Sequence, residues 1–249
     1  METEYSRYYR QVSPHFDEIR LDREAEIART VAVFTHYLGP GVKPLLDLGC
    51  GTGRFTRSLC EQGYDAYGVD ISFSQLSHCP ASLGRVQADC FALPFRNCCF
   101  RGVLSVLLLQ QLTGNERDLL FHEVWRVLTE PAVYVIKTCS HDDLRMRPLA
   151  EFFPSALPLN LARYPDVPQL CETLTNHGFM VKEVLPTYSE QVLMSDELIH
   201  SVAMKHNSTL ALLGDEEFAA GLTKLKAHFR ERCQIALAHH HTVVVAVRG

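Results

Sequence analysis

Three glycines spaced two apart, Gly49, Gly51 and Gly53, follow the apolar run Leu45–Leu48, which carries Asp47 within it. A glycine turn at a strand end lets backbone approach a ligand closely, because no Cβ stands in the way. Such a turn can hold a triphosphate, a dinucleotide or a nucleoside without phosphate. A triphosphate loop needs G-x-x-x-x-G-K-[ST], and no Lys-Ser/Thr pair follows Gly53. A dinucleotide turn reads G-x-G-x-x-G, whereas the spacing here is G-x-G-x-G. A carboxylate beside the ligand suits a cation better than a pyrophosphate.

Two more aspartates end strand-like runs: Asp70 closes YDAYGVDIS and Asp89 closes RVQADC. An ionised carboxylate offers two acceptor oxygens, enough for a pair of hydroxyls. Taken singly, each reads equally well as a turn or cap residue. In register with the glycine turn they read as a site. His239, His240 and His241 invite a metal, but neighbours on a strand point to alternating faces and cannot converge on one ion. Cys98 and Cys99 likewise lack ligand spacing, so no metal is expected.

The elements that must position these groups alternate regularly. Residues 23–38 place Ile27, Val31, Phe34 and Leu38 on one helical face, with Asp22 as N-cap and Gly39-Pro40 as the stop. The strand PLLDLG, the turn and the helix RFTRSLCEQG follow. GVLSVLLLQQL, the most apolar segment, reads as a fourth and central strand. Thr113 and Glu116 form a capping box that starts the next helix, and PAVYVIKTCS is a fifth strand. Pro148–Pro168 reads as a long loop, then a helix from Pro168 to His177 precedes the strand FMVKEVLP. This rhythm means a doubly wound α/β domain. Two helical stretches, Ser195–His206 and Asp215–Ala238, then interrupt the pattern before a last strand, HTVVVAVRG. Phe218, Leu222, Leu225 and Phe229 form the packing stripe of that insert.

The chain has 249 residues, 47% hydrophobic, with a formal charge of −5 and scattered Lys and Arg. It is long enough for one large domain, and the lack of a basic stripe argues against a nucleic-acid partner. Nine cysteines without any C-x-x-C read as reduced thiols in a cytoplasmic protein. METEYSRYYRQ is not a signal peptide, and the longest apolar run, Val103–Leu109, falls far short of a membrane span.

DLGCGTG, then GVDIS, then QADCFALPF closely resembles the class I S-adenosylmethionine-dependent methyltransferases, nearest the ubiquinone/menaquinone methyltransferase-like group, over roughly residues 5–185. The resemblance implies a Rossmann-like, mostly parallel seven-stranded sheet of order 3-2-1-4-5-7-6 with a helical cap. It implies a single domain, with lid helices at 1–40, a core at 41–188, a cap insertion at 189–238 and a final strand at 239–249. S-adenosylmethionine is the implied cofactor, and it carries a sulfonium and no phosphate. On the family pattern Gly49, Cys50, Gly51 and Gly53 line the floor, and Asp47 reaches toward the methionine ammonium. Asp70 accepts the ribose hydroxyls, Ile71 packs on the adenine, Asp89 accepts the adenine amino group, and Cys90 offers its backbone N–H. Leu107 joins the cofactor contacts. Tyr8, Tyr9, His15 and Phe16 resemble a lid, from which Tyr9 or Arg20 meets the methionine carboxylate.

Three departures bear on catalysis. Arg101 follows Phe100 where the family reads Phe-Asp, Gln110 and Gln111 replace a pair of His or similar residues, and Glu130-Pro131-Ala132 replaces a Pro-Gly-Gly turn. Neither glutamine can act as a base. His141, in TCSHDD, is the candidate base, oriented by Asp142. Lys205, His206, Asn207 and Ser208 are candidates to face the acceptor. The expected activity is in-line methyl transfer to a small organic molecule. The alternatives are a nucleic-acid or protein methyltransferase and a non-catalytic binding subunit.

Overall fold

The computed structural model describes residues 12–19, 24–39, 41–205, 207–231 and 234–249. Asp22, Tyr8, Tyr9, Arg20 and His206 lie outside the described residues. Seven strands form one sheet in the order β3-β2-β1-β4-β5-β7-β6. They are β1 (Leu45–Leu48), β2 (Ala66–Asp70), β3 (Gly84–Gln87), β4 (Phe100–Val106), β5 (Leu128–Thr138), β6 (Met180–Met194) and β7 (Gln234–Arg248). All neighbours pair in parallel except β7, which runs antiparallel to both β5 and β6. β1 is buried at all four positions, as a strand covered on both faces must be.

Helices α1 (Phe16–Ile19), α2 (Glu24–Leu38), α3 (Arg54–Glu61), α4 (Phe73–Leu76) and α5 (Gly114–Val127) precede β5 or connect the strands before it. α2 buries Val31 and Phe34 with Leu45, Leu104 and Val135 on one face of the sheet. α5 buries Leu120, Phe121 and Val124 on the other, with Tyr134, Ile136 and Phe179. The Thr113–Glu116 capping box is formed: Thr113 N–H donates to Glu116 Oε2 at 2.7 Å, and Thr113 Oγ1 accepts from Glu116 N.

Three stretches before β6 differ from expectation. β4 stops at Val106; Leu107 takes a left-handed φ of +50°, and Leu109–Gln111 coil into a 3-10 turn. α6 (His141–Arg145) starts directly after β5, because Ser140 and Asp143 cap it reciprocally. The proline-rich stretch is not a loop. It holds a 3-10 turn at Pro148–Glu151 and α7 (Ala156–Arg163), with Pro158 in the first helical turn, where a missing N–H costs nothing. α8 (Val167–Asn176) follows.

The last two strands are longer than expected. β6 and β7 pair from Met180↔Val247 to Met194↔Gln234, whereas β5 reaches only Thr242 of β7. Residues 187–194 and 234–241 therefore form a two-stranded ribbon beyond the main sheet. The helical insert hangs from its tip as α9 (Ser195–Ala203), α10 (Ser208–Ala211) and α11 (Asp215–Glu231), shorter at both ends than 189–238. Its core joins Leu198, Val202, Leu210, Leu225 and Phe229 to Phe152 and Phe153 from the stretch before α7. Phe218 and Leu222 pack against that core. Among the described residues no helix is long and apolar enough to cross a membrane.

Candidate functional site

The glycine turn joins β1 to α3. Gly49, Gly51 and Gly53 have φ of +75°, +56° and +78°, a region open to glycine and strained for other residues. The N–H groups of Gly49 and Cys50 both donate to Val69 O, at 2.8 and 3.0 Å, which fastens the turn to β2. Gly53 occupies the N-cap position of α3 and has no side chain to cap with. Asp47 does the capping from the adjacent strand. Its Oδ2 accepts from the Thr56 N–H at 3.0 Å and from Thr56 Oγ1 at 2.7 Å.

Asp47, expected to reach toward the methionine ammonium, thus also caps α3. Asp47 is 1% exposed, and its Oδ2 is engaged with the N-terminus of α3. Burial pushes its pKa up to about 6, against the pull of the Thr56 bonds.

Asp70, at the tip of β2, accepts from Gly51 N through Oδ2 at 2.9 Å and from Ser72 N through Oδ1 at 2.8 Å. Burial raises its pKa despite these bonds. Each oxygen keeps a lone pair, so the group can still receive ligand hydroxyls. Ile71 and Phe73 beside it are 65% and 69% exposed, an apolar surface next to a polar tip. Asp89 lies past the end of β3, exposed, with Oδ1 accepting from Phe91 N at 3.0 Å. Cys90 is half-buried, and burial pushes its thiol up to about 12. The Cys50 thiol is raised further for the same reason.

A strap crosses the turn. Asp17 Oδ1 accepts from Thr52 Oγ1 at 2.8 Å and lies 3.5 Å from Arg54, whose guanidinium sits 5.5 Å from the Phe16 ring. Gln75 Nε2 donates to Ser13 Oγ at 2.9 Å. Its buried Oε1 has no partner among the described residues and would lie 3.3 Å from a Cβ on Gly51. These contacts tie Ser13–Asp17 to the glycine turn, α3 and α4.

At the tips of β4 and β5, Leu107 N donates to Lys137 O at 2.9 Å, and Gln110 Nε2 donates to Leu107 O. Gln111 Oε1 accepts from Arg163, which also donates to Ser208 Oγ at 2.8 Å and Thr209 Oγ1 at 3.0 Å. Arg163 thus ties the helical insert to the end of β4. His141 opens α6 with Nε2 3.2 Å from Tyr164 O and Nδ1 3.8 Å from Asp166 Oδ1. Asp142 does not orient it, being paired with Arg145 at 2.8 Å. The neighbouring histidines of β7 part: His240 meets the Tyr188 ring, while His241 is buried with Nδ1 3.8 Å from Glu26.

Thr56, Asp17, Gln75, Asp166 and Arg163 were not expected at the site. Ser72-x-x-Gln75 carries a capping-box pattern that could have marked Gln75. The others act across long sequence separations and leave no local signal.

Residues 46–136 match the family model described as a methyltransferase domain. No curated protein matches the sequence significantly. Among solved structures, a protein assigned as a methyltransferase from an antibiotic biosynthesis pathway of Anabaena variabilis is 18% identical, with a TM-score of 0.69 over 88% of this chain and 96% of that one. The [4+2]-cyclase SpnF is 18% identical, with a TM-score of 0.63 over 98% and 95% of the two chains. A phosphoethanolamine N-methyltransferase 2 of Haemonchus contortus, in complex with phosphomonomethylethanolamine and S-adenosylhomocysteine, is 17% identical, with a TM-score of 0.54. The match covers 88% of this chain but only 52% of that protein's length. At these identities the likeness is one of fold, and the cyclase marks how far reaction can diverge on it. With the glycine turn fastened to β2 and β7 antiparallel between β5 and β6, the chain has the fold of the class I S-adenosylmethionine-dependent methyltransferases.

Proposed function

We propose that the chain binds S-adenosylmethionine over the glycine turn and the tips of β1 and β2, and transfers its methyl group to a small organic acceptor beside the tips of β4 and β5. The observation that carries this is the Gly51–Asp70 bond, which draws a phosphate-free glycine cradle against a carboxylate at a strand tip. The residues present fit the cofactor. Three left-handed glycines leave three positions of the floor without side chains, Ile71 offers an exposed apolar face for the adenine, and Asp70 and Asp89 offer acceptors for the ribose hydroxyls and the adenine amino group. Cys50 lies in that floor, Cys90 contributes its N–H, Leu107 borders the methyl group, and Tyr9 or Arg20 meets the methionine carboxylate.

When bound, S-adenosylmethionine supplies a methyl group on a sulfonium, activated for displacement. The chain supplies alignment and dryness. Leu107, Leu157, Leu161 and Tyr164 pack round Cys139 and Leu144 to exclude water next to the β4 tip. For an acceptor that must lose a proton, His141 takes it. Its Nε2–H is held by the Tyr164 carbonyl, which can only accept, so Nδ1 is the basic nitrogen. The small-molecule assignment draws on the pathway named for the Anabaena protein. The eight described cysteines are all free thiols, in keeping with a cytoplasmic setting.

The test is incubation with methyl-labelled S-adenosylmethionine and a cell extract split into low-mass, nucleic-acid and protein fractions. Label is expected in the low-mass fraction. Label in RNA, DNA or protein overturns the acceptor class. Failure of S-adenosylhomocysteine to bind, with NADH saturating the same cleft, overturns the cofactor.

A further inference from the structure

We propose that Arg147 is an anion-binding residue of the acceptor subsite, so that the acceptor joins an apolar body to a carboxylate or phosphate monoester. This rests on the methyltransferase reading for the position of the subsite, but not for the charge of its ligand.

Arg147 follows α6 and is half-buried. Its guanidinium donates to Cys139 Sγ, its one hydrogen bond among the described residues. Burial holds the Cys139 thiol neutral by raising its pKa, and a neutral thiol is a weak acceptor. No carboxylate lies within ion-pairing distance of Arg147 among the described residues. The Asp143 charge acts on Arg147 from beyond hydrogen-bonding distance, and the oxygens of the acids nearby are bonded or paired with other groups. Asp143 Oδ2 accepts from Ser140 N and Thr242 Oγ1, both at 2.7 Å, Asp142 pairs with Arg145, and Asp166 faces His141.

Arg126 shows what a structural arginine looks like in this fold. It donates to both Glu123 oxygens, to Asn97 and to the carbonyls of Leu93 and Phe95. Arg147 has no such set. A planar fork of N–H donors, partly withdrawn from water and bonded only to a thiol among the described residues, matches a carboxylate or phosphate. Its surroundings supply the rest of the ligand. Cys139, to which Arg147 is tied, is packed with Leu107, Leu157, Leu161 and Tyr164 at the tip of β4.

The experiment uses the full chain saturated with S-adenosylhomocysteine and titrated calorimetrically with benzoate, phenyl phosphate and neutral benzamide. One acidic probe is expected to bind at least about tenfold more tightly than benzamide, as charge-assisted bonds require. Whether that probe is benzoate or phenyl phosphate identifies the acidic group. Arg147→Gln is expected to abolish the preference while leaving S-adenosylhomocysteine affinity unchanged. Arg147→Lys, which keeps the charge without the fork, should retain part of it, and stands in if the Gln variant does not fold. Equal binding of benzamide, absence of binding by both acids, or a preference that survives Arg147→Gln overturns the proposal. Failure of S-adenosylhomocysteine itself to bind, with an Arg147-dependent acid preference intact, overturns the cofactor reading and leaves this one standing.

Discussion

Asp47 and Thr56 form one unit: the Asp47 carboxylate, set inside β1, accepts both the backbone N–H and the hydroxyl of Thr56 in the first turn of α3. The strand, the glycine turn and the helix are thereby locked into a single geometry. A charge buried this deeply also has consequences for stability.

Because burial lifts the folded pKa of Asp47 from 3.8 to about 6, the folded state holds that proton more tightly than the unfolded chain. The stabilisation is therefore present below about pH 4 and lost as pH rises to about 6, on the order of 3 kcal/mol. Urea unfolding of wild type against Asp47→Asn across this window measures it. The gap should move against wild type with rising pH, and a gap independent of pH would rule out the raised carboxyl.

Asp70→Ala removes the acceptor of the Gly51 and Ser72 N–H groups along with the proposed ribose contact. S-adenosylhomocysteine affinity should fall by about tenfold or more in calorimetric titration. Unchanged affinity would withdraw the ribose assignment from this residue.

Gly53→Ala combines two costs. Its φ of +78° is unfavourable for alanine, and the new Cβ would overlap Cys79 Sγ. A loss of about 1–3 kcal/mol is expected from thermal unfolding. In the double variant with Cys79→Ala the overlap is relieved and the backbone cost stays, so recovery should be partial. Full recovery would mean that φ carries no penalty here.

Arg163→Met should loosen the contact between the insert and the β4 tip, since Ser208, Thr209 and Gln111 lose a shared donor. Amide exchange at residues 207–211 should accelerate, while exchange in β1 and β4 stays as in wild type. Unaltered protection at 207–211 would show that the hydrophobic core of the insert holds it closed without Arg163.

The parts of the molecule legible in the chain are those with local causes. Glycine spacing, the apolar run of β1 and the Thr113–Glu116 box are read within a few residues, and each stands where expected. The end of β4 was not legible, because Leu107–Leu109 continue the apolar pattern of the strand while leaving it through a left-handed residue. α7 was hidden by Pro154 and Pro158, which read as loop text although Pro158 sits harmlessly in a first turn. The ribbon ending in AHHH was missed for another reason. Its apolar residues IALA continue the helical stretch expected to run from Asp215 to Ala238, and pairing with residues distant in the chain makes them a strand. At the site, the Asp47–Thr56 cap and the Asp166–His141 pair depend on tertiary proximity, which no spacing rule encodes.

Met194 faces Gln234 across the ribbon, so the backbone departs for the insert and returns at adjacent points. Everything between them is a closed excursion that leaves the threading of the sheet untouched. Joints of this kind let one element be lengthened, shortened or exchanged without refolding its host. A scaffold with such a joint can acquire a new clientele by swapping its roof while its foundations stay as they are.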